Sequence, residues 1–195
     1  MKQEQQIWTI GHSTLSIDEF VNSLKSFSIR LVADVRSFPG SRRYPQFNKE
    51  SLRVSLAIAN VDYIHLPEIG GRRKARPDSQ NVAWRNQSFR GYADYMETED
   101  FRAGIERLIE TACEKRTAIM CAEAVWWRCH RSLIADYLKA TGWEVIHIID
   151  QSHSQTHPFT SAAGIVNGKL SYRGVLENLE NDTGLVFRAS PGTIR

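Results

Sequence analysis

Apolar residues in this chain fall into short continuous runs, separated by stretches where they recur every three or four positions. Runs at 7–10, 31–35, 63–66, 118–121 and 145–149 are four or five residues long and bounded by turn formers. That is the pattern of strands buried on both faces. Between them, Phe20, Val21, Leu24 and Phe27 lie at helical spacing, as do Leu52, Leu56 and Ala59. The same holds for Phe101, Ile105, Leu108, Ile109 and Ala112, and for Leu133, Ile134, Tyr137 and Leu138. Start and stop signals agree. Ser16 with Glu19 forms a capping box, Asn48 and Thr98 stand where caps belong, and Gly142 ends the last helix.

Strands alternating with helices predict an α/β fold: a mainly parallel five-stranded sheet with helices on both faces, in Rossmann- or flavodoxin-like layering. Residues 1–150 are expected to form this core. Residues 151–195 read differently: Asn167-Gly168, set between alternating apolar and polar positions, predicts a small hairpin in a C-terminal extension packed on or beside the core.

Composition narrows the class. The chain has 195 residues, 42% hydrophobic and 24% charged, which suits one domain and excludes collagen-like, disordered and disulfide-scaffold proteins. The longest apolar runs fall far short of a membrane span, and the polar start offers no signal-peptide core. Three cysteines, Cys113, Cys121 and Cys129, suit a reducing compartment. A cytoplasmic protein with no membrane partner is therefore expected. Net charge is only +3, yet between Arg30 and Arg90 twelve basic residues face five acidic ones. A basic middle segment favours an anionic small molecule or nucleic acid as partner.

In an open parallel sheet, ligands bind beyond the carboxyl ends of the strands. The polar residues gather at those ends: His12 and Ser13 after the first run, Asp34 and Arg36 after the second, Glu68 after the third, and Glu123 after the fourth. Cys129, His130 and Arg131 open the following helix. A helix N-terminus binds anions and favours a thiolate and a neutral imidazole. The catalytic candidates are thus His12, Asp34, Glu123, Cys129 and His130. The anion- or substrate-binding candidates are Ser13, Arg36, Arg42, Glu68, Arg131 and Trp127. Plainer readings stand beside these: a backbone-bonded His12, a structural Asp34–Arg36 pair, a buried inert cysteine, and rings at Trp84, Phe89, Tyr92 and Trp126 that merely cover the sheet.

A cysteine phosphatase loop needs five residues between Cys and Arg, but Cys121 and Arg128 enclose six, and Glu123 would repel the anion. Cys121, Glu123, Cys129 and His130 are plausible zinc ligands, but their spacing matches no common module, so neither a metal nor a cofactor is expected.

In order along the chain, Thr9-Ile10-Gly11-His12-Ser13, Asp34-Val35-Arg36 with Pro39 and Ser41, and Leu66 through Gly70-Gly71 form a recognisable set. Phe89, Tyr92, Cys121-x-Glu123 and Cys129-His130-Arg131 complete it. With these the chain resembles the bacterial and archaeal family called domain of unknown function 488. The segment His157-Pro158-Phe159-Thr160, with Ala162-Ala163 and Gly168-x-Leu170-x-Tyr172, looks like an extension found in one branch. The resemblance implies a compact α/β fold and marks the same strand-end residues, without a reaction to carry over. Three functions are weighed. The first is an enzyme, a hydrolase or transferase, acting on a phosphorylated nucleotide or nucleic acid. The second is a non-catalytic nucleic-acid-binding module built on the basic, aromatic-containing middle segment. The third is a redox protein using Cys121 and Cys129, which requires their sulfurs within bridging reach.

Overall fold

The computed structural model describes residues 5–174 and the backbone of Phe187–Arg188. The strands are β1 (Gln6–Gly11), β2 (Leu31–Asp34), β3 (Asp62–His65), β4 (Thr117–Cys121), β5 (Glu144–Ile148) and β6 (Ser154–Thr156), arranged in one sheet in the order β3-β2-β4-β1-β5-β6. The first five are parallel, as the apolar runs predict. β6 is an added antiparallel edge on β5, too short and too polar to announce itself in sequence.

The helices are α1 (Ile17–Ser26), α2 (Lys49–Ile58), α3 (Gln87–Tyr95), α4 (Glu99–Glu114) and α5 (Arg131–Ala140). Strand residues alternate between two helical layers. Trp8, Ile10, Val32, Ala118, Met120 and Ile146 pack with α1 and α2. Ile7, Leu31, Ala33, Ile119 and Val145 pack with α3, α4 and α5. The helix leaving β1 and the helix leaving its neighbour β4 therefore cover opposite faces, which opens a crevice at their carboxyl ends.

Local chemistry explains the element ends. Ser16 Oγ accepts from Glu19 N while the Glu19 carboxylate accepts from Ser16 N, a complete capping box. Thr98 caps α4 through Phe101 N. Asn48 precedes α2, but its side chain accepts from Ser41 N at 2.6 Å, tying down the loop after β2 instead of the helix. α3 is a helix in its own right, capped by Asn86 after the long basic loop. The predicted hairpin pairs β7 (Gly164–Val166) with β8 (Lys169–Ser171), and Asn167 and Gly168 both have positive φ in its turn. β9 (Phe187–Arg188) flanks β7. Among the described residues no helix is long and apolar enough to cross a membrane.

Candidate active site

A cleft of about 220 Å³ lies at the carboxyl ends of β2, β3 and β4, with Arg36, Phe38, Arg72, Glu123, Cys129 and His130 in its walls. Another hollow, of about 260 Å³, lies at the opposite end of the sheet around Gln5, Lys115, Arg116 and Trp143, away from the strand-end residues.

One wall is built from β2. Buried Asp34 accepts from Arg36 Nη2 at 2.6 Å, Arg36 Nε at 2.9 Å and Arg36 N at 3.0 Å, and from Tyr63 Oη at 2.7 Å. Arg36 Nη1 donates to His12 Nε2 at 3.2 Å, so His12 carries its proton on Nδ1, facing the Ser13 carbonyl. The His12 ring is stacked on Phe47, 4.1 Å between centroids. Burial, with the neighbouring Arg36 charge, lowers the His12 pKa to about 4. His12 therefore stands behind Arg36 as a neutral acceptor that orients the guanidinium, not as an exposed acid–base group.

The floor comes from β4 and the start of α5. Cys121 Sγ and Cys129 Sγ are free thiols 2.6 Å apart. His130 Nε2 lies 3.1 Å from the Val35 carbonyl, which can only accept, so Nε2 carries a proton and Nδ1 faces Cys129 Sγ at 3.4 Å. The Arg131 amide donates to the same sulfur at 3.5 Å. Burial pushes the Cys129 thiol up, but the hydrogen bond from Cys121 and the charges of His130 and Arg131 outweigh it and hold the group well below the usual thiol range. Burial raises Cys121 well above that range, and the bond to Cys129 adds to it. The two shifts run in opposite directions, so a negative charge on the pair is favoured at Cys129 over Cys121.

Two glycines make the approach possible. A Cβ on Gly11 would lie 1.8 Å from the Glu123 carbonyl oxygen, and one on Gly71 would lie 2.9 Å from His130 Nδ1. Arg72, next to Gly71, has φ +50 and holds its guanidinium 5.6 Å from the Phe38 ring. A non-glycine residue in this region is strained, and such strain gathers at ligand sites.

The structure redistributes several sequence-assigned roles. Arg131, read from sequence as an anion binder, is 1% exposed. Its Nη2 donates to the Glu123 carbonyl at 2.6 Å and its Nη1 to Thr9 Oγ1 at 3.3 Å, so its Nη groups are engaged inside the protein instead of facing the cleft. Arg42 sits exposed on the loop after β2, outside the cleft walls, and Arg72 supplies the second cleft guanidinium instead. Glu68 pairs with Arg107 at 2.6 Å on α4 and lies outside the cleft walls. Ser13, at φ +42, spends its amide on the Ala122 carbonyl. Glu123 keeps an exposed side chain at the cleft edge while its carbonyl receives Arg131.

The aromatic residues divide. Trp84 packs on Phe89 and Tyr172, and Trp126 stacks on His147 at 4.3 Å. Tyr92 is buried with its hydroxyl on the Ile69 carbonyl. Trp127, 49% exposed, and Phe38, 72% exposed, remain as open surfaces. Sequence reasoning passed over Phe38, Tyr63 and Arg72. An aromatic beside a Pro-Gly loop, and an Arg after Gly-Gly, were the available signals. No group of three or more metal-ligating side chains is assembled among the described residues.

The family model for the domain of unknown function DUF488 matches residues 16–138, and the chain belongs to this family. No curated protein and no solved structure matches it.

Proposed function

We propose that this DUF488 member is an enzyme, a hydrolase or transferase, that takes a phosphorylated nucleotide or nucleic-acid end into the cleft and uses Cys129 as its nucleophile. One observation carries the reading. A guanidinium out of water needs a counter-charge. Arg131 is buried, no ion pair to it exists among the described residues, and its neighbours on the site side are the Cys121 and Cys129 sulfurs. The thiolate is the natural counter-ion. It is an activated nucleophile with a base in reach and that base oriented by the Val35 carbonyl, which is the arrangement of covalent catalysis.

Arg36 and Arg72 suit the phosphate, since a guanidinium fork matches its oxygens. Exposed Phe38 offers a face on which a base can stack. In the reaction, Cys129 Sγ bonds to the electrophilic centre as the bond to the leaving group breaks. The leaving group departs with that electron pair and takes the proton that His130 Nδ1 has accepted from the Cys129 thiol. A water, or a second acceptor, then attacks the sulfur-bound centre, returns a proton to His130 and releases the thiolate.

The test is a thermal-shift panel of mononucleotides, short single-stranded DNA and RNA, and phosphorylated sugars, on wild type and Arg72→Ala. A small ligand at about 100 times its Kd raises the midpoint by about 5–10 °C, and the variant loses that rise. The second reading, a nucleic-acid-binding module, draws support from the Arg72–Phe38 pair in the cleft wall and the Arg43–Tyr44 pair on the loop after β2. Oligonucleotide shifts alone, equal in both proteins and collapsing steeply with salt, would replace the enzyme by the module.

A further inference from the structure

Behind Arg131 runs a line of buried polar groups that the proposed chemistry does not use. Arg131 Nη1 lies 3.3 Å from Thr9 Oγ1, Thr9 Oγ1 2.7 Å from His147 Nδ1, His147 Nε2 2.9 Å from His157 Nδ1, and His157 Nε2 2.9 Å from Asp136 Oδ1. Every member is buried. The two ends, with one proton on each imidazole ring, leave a single consistent direction. A guanidinium only donates and a carboxylate only accepts, so Arg131 donates to Thr9, Thr9 to His147, His147 to His157 and His157 to Asp136. Burial, with His157 beside it, lowers the His147 pKa to about 2, which keeps that ring neutral as the direction requires. Asp136 receives its remaining donors from Thr160 N, Thr160 Oγ1 and Tyr172 Oη at 2.6–2.9 Å, all from the segment after β5.

We propose that Asp136, His157, His147 and Thr9 are positioning residues that hold Arg131 against the Cys121–Cys129 pair, so that the segment after β5 sets the reactivity of the thiolate from the far side of the β1–β5 seam. This rests on reading Cys129 as the nucleophile. Arg131 Nε has no partner among the described residues. The guanidinium is therefore kept in place by its Nη atoms alone: Nη2 on the Glu123 and Ala124 carbonyls, and Nη1 on the Thr9 end of the line. With Thr9 silent, Nη1 loses its Thr9 acceptor and the guanidinium is freed to move off the sulfurs. The other groups facing Cys129 are Cys121 from β4, Tyr92 from α3, and His130 beside it, with Arg36 across the cleft.

The experiment titrates the thiolate by its ultraviolet absorbance in a Cys113→Ser background, with Cys129→Ser as the blank. Wild type is expected to titrate well below the roughly 8.5 of a free cysteine. Thr9→Val and His157→Gln are expected to raise that midpoint by about one unit, a tenfold loss of thiolate below it, and Thr9→Ser to restore it. Tyr172→Phe removes one donor from Asp136, and a smaller rise in the same direction is expected even if the deeper substitutions unfold the chain. Variants whose melting temperatures fall while their thiolate profiles overlay wild type would overturn the positioning role and leave the nucleophile standing. A wild-type profile like that of a free thiol would remove the nucleophile itself, and the inference with it.

Discussion

Asp34 grips Arg36 from two residues away with both carboxylate oxygens, receiving Nη2 at 2.6 Å and Nε at 2.9 Å while also holding the Arg36 amide. Asp34 is fully buried and Arg36 nearly so, so each charge has little water to fall back on if the other is removed. Asp34→Asn should cost about 3–5 kcal/mol, because it strands a guanidinium rather than deleting a contact. Urea unfolding reads this directly. A cost below about 1 kcal/mol would mean that cleft water solvates Arg36 well enough to replace Asp34.

The pH dependence of stability follows from the two silent histidines. His12 is lowered to about 4 and His147 to about 2, against about 6.5 in an unfolded chain. For each, the unfolded state binds a proton that the folded state refuses. Their contribution is present above about pH 6.5 and drains away as pH falls from there, for His12 down to about 4 and for His147 further still. Denaturant unfolding between pH 7 and pH 4.5 should show stability falling with acid. His12→Gln should lower that slope by about one proton, and an unchanged slope would contradict the neutral assignment.

Gly11→Ala tests how closely the β4–α5 connector must pass β1. The added methyl meets the Glu123 carbonyl oxygen at 1.8 Å, and that carbonyl also receives Arg131. A loss of about 2–3 kcal/mol is expected, together with a raised thiolate midpoint as Arg131 loses a partner. Thermal unfolding and thiol titration on one sample measure both.

The adjacency of Cys121 and Cys129 also predicts a response to oxidant. Diamide should reduce the free thiol count from three to one within the monomer, leaving exposed Cys113. Cys121→Ser should abolish the pairing. A count that falls only with dimer formation would place the chemistry at Cys113 and remove the redox reading.

Much of the fold was legible because strands and helices write their periods into the chain. Ser16 and Glu19 announced α1, and five apolar runs announced the five parallel strands. β6 was not legible, since three exposed polar residues pair only because β5 offers an edge. The placement of Asp34, Cys129 and His130 around the strand ends followed from sheet topology. Arg131 was harder: in a sequence a charge reads as surface, and only packing reveals that this one is enclosed. A signal did exist. Thr9 and His147 interrupt otherwise apolar strands at paired positions, and a polar residue inside a buried strand must find a partner.

Among the described residues, all four donors to the Asp136 carboxylate lie beyond residue 156, although Asp136 itself belongs to α5 within the core. A shortened chain ending after β5 would keep the carboxylate and lose everything that satisfies it. The position and the segment therefore stand or fall together. A relative without the segment is expected to lack the acidic residue too, and a graft of the segment onto such a relative to need Asp136 with it.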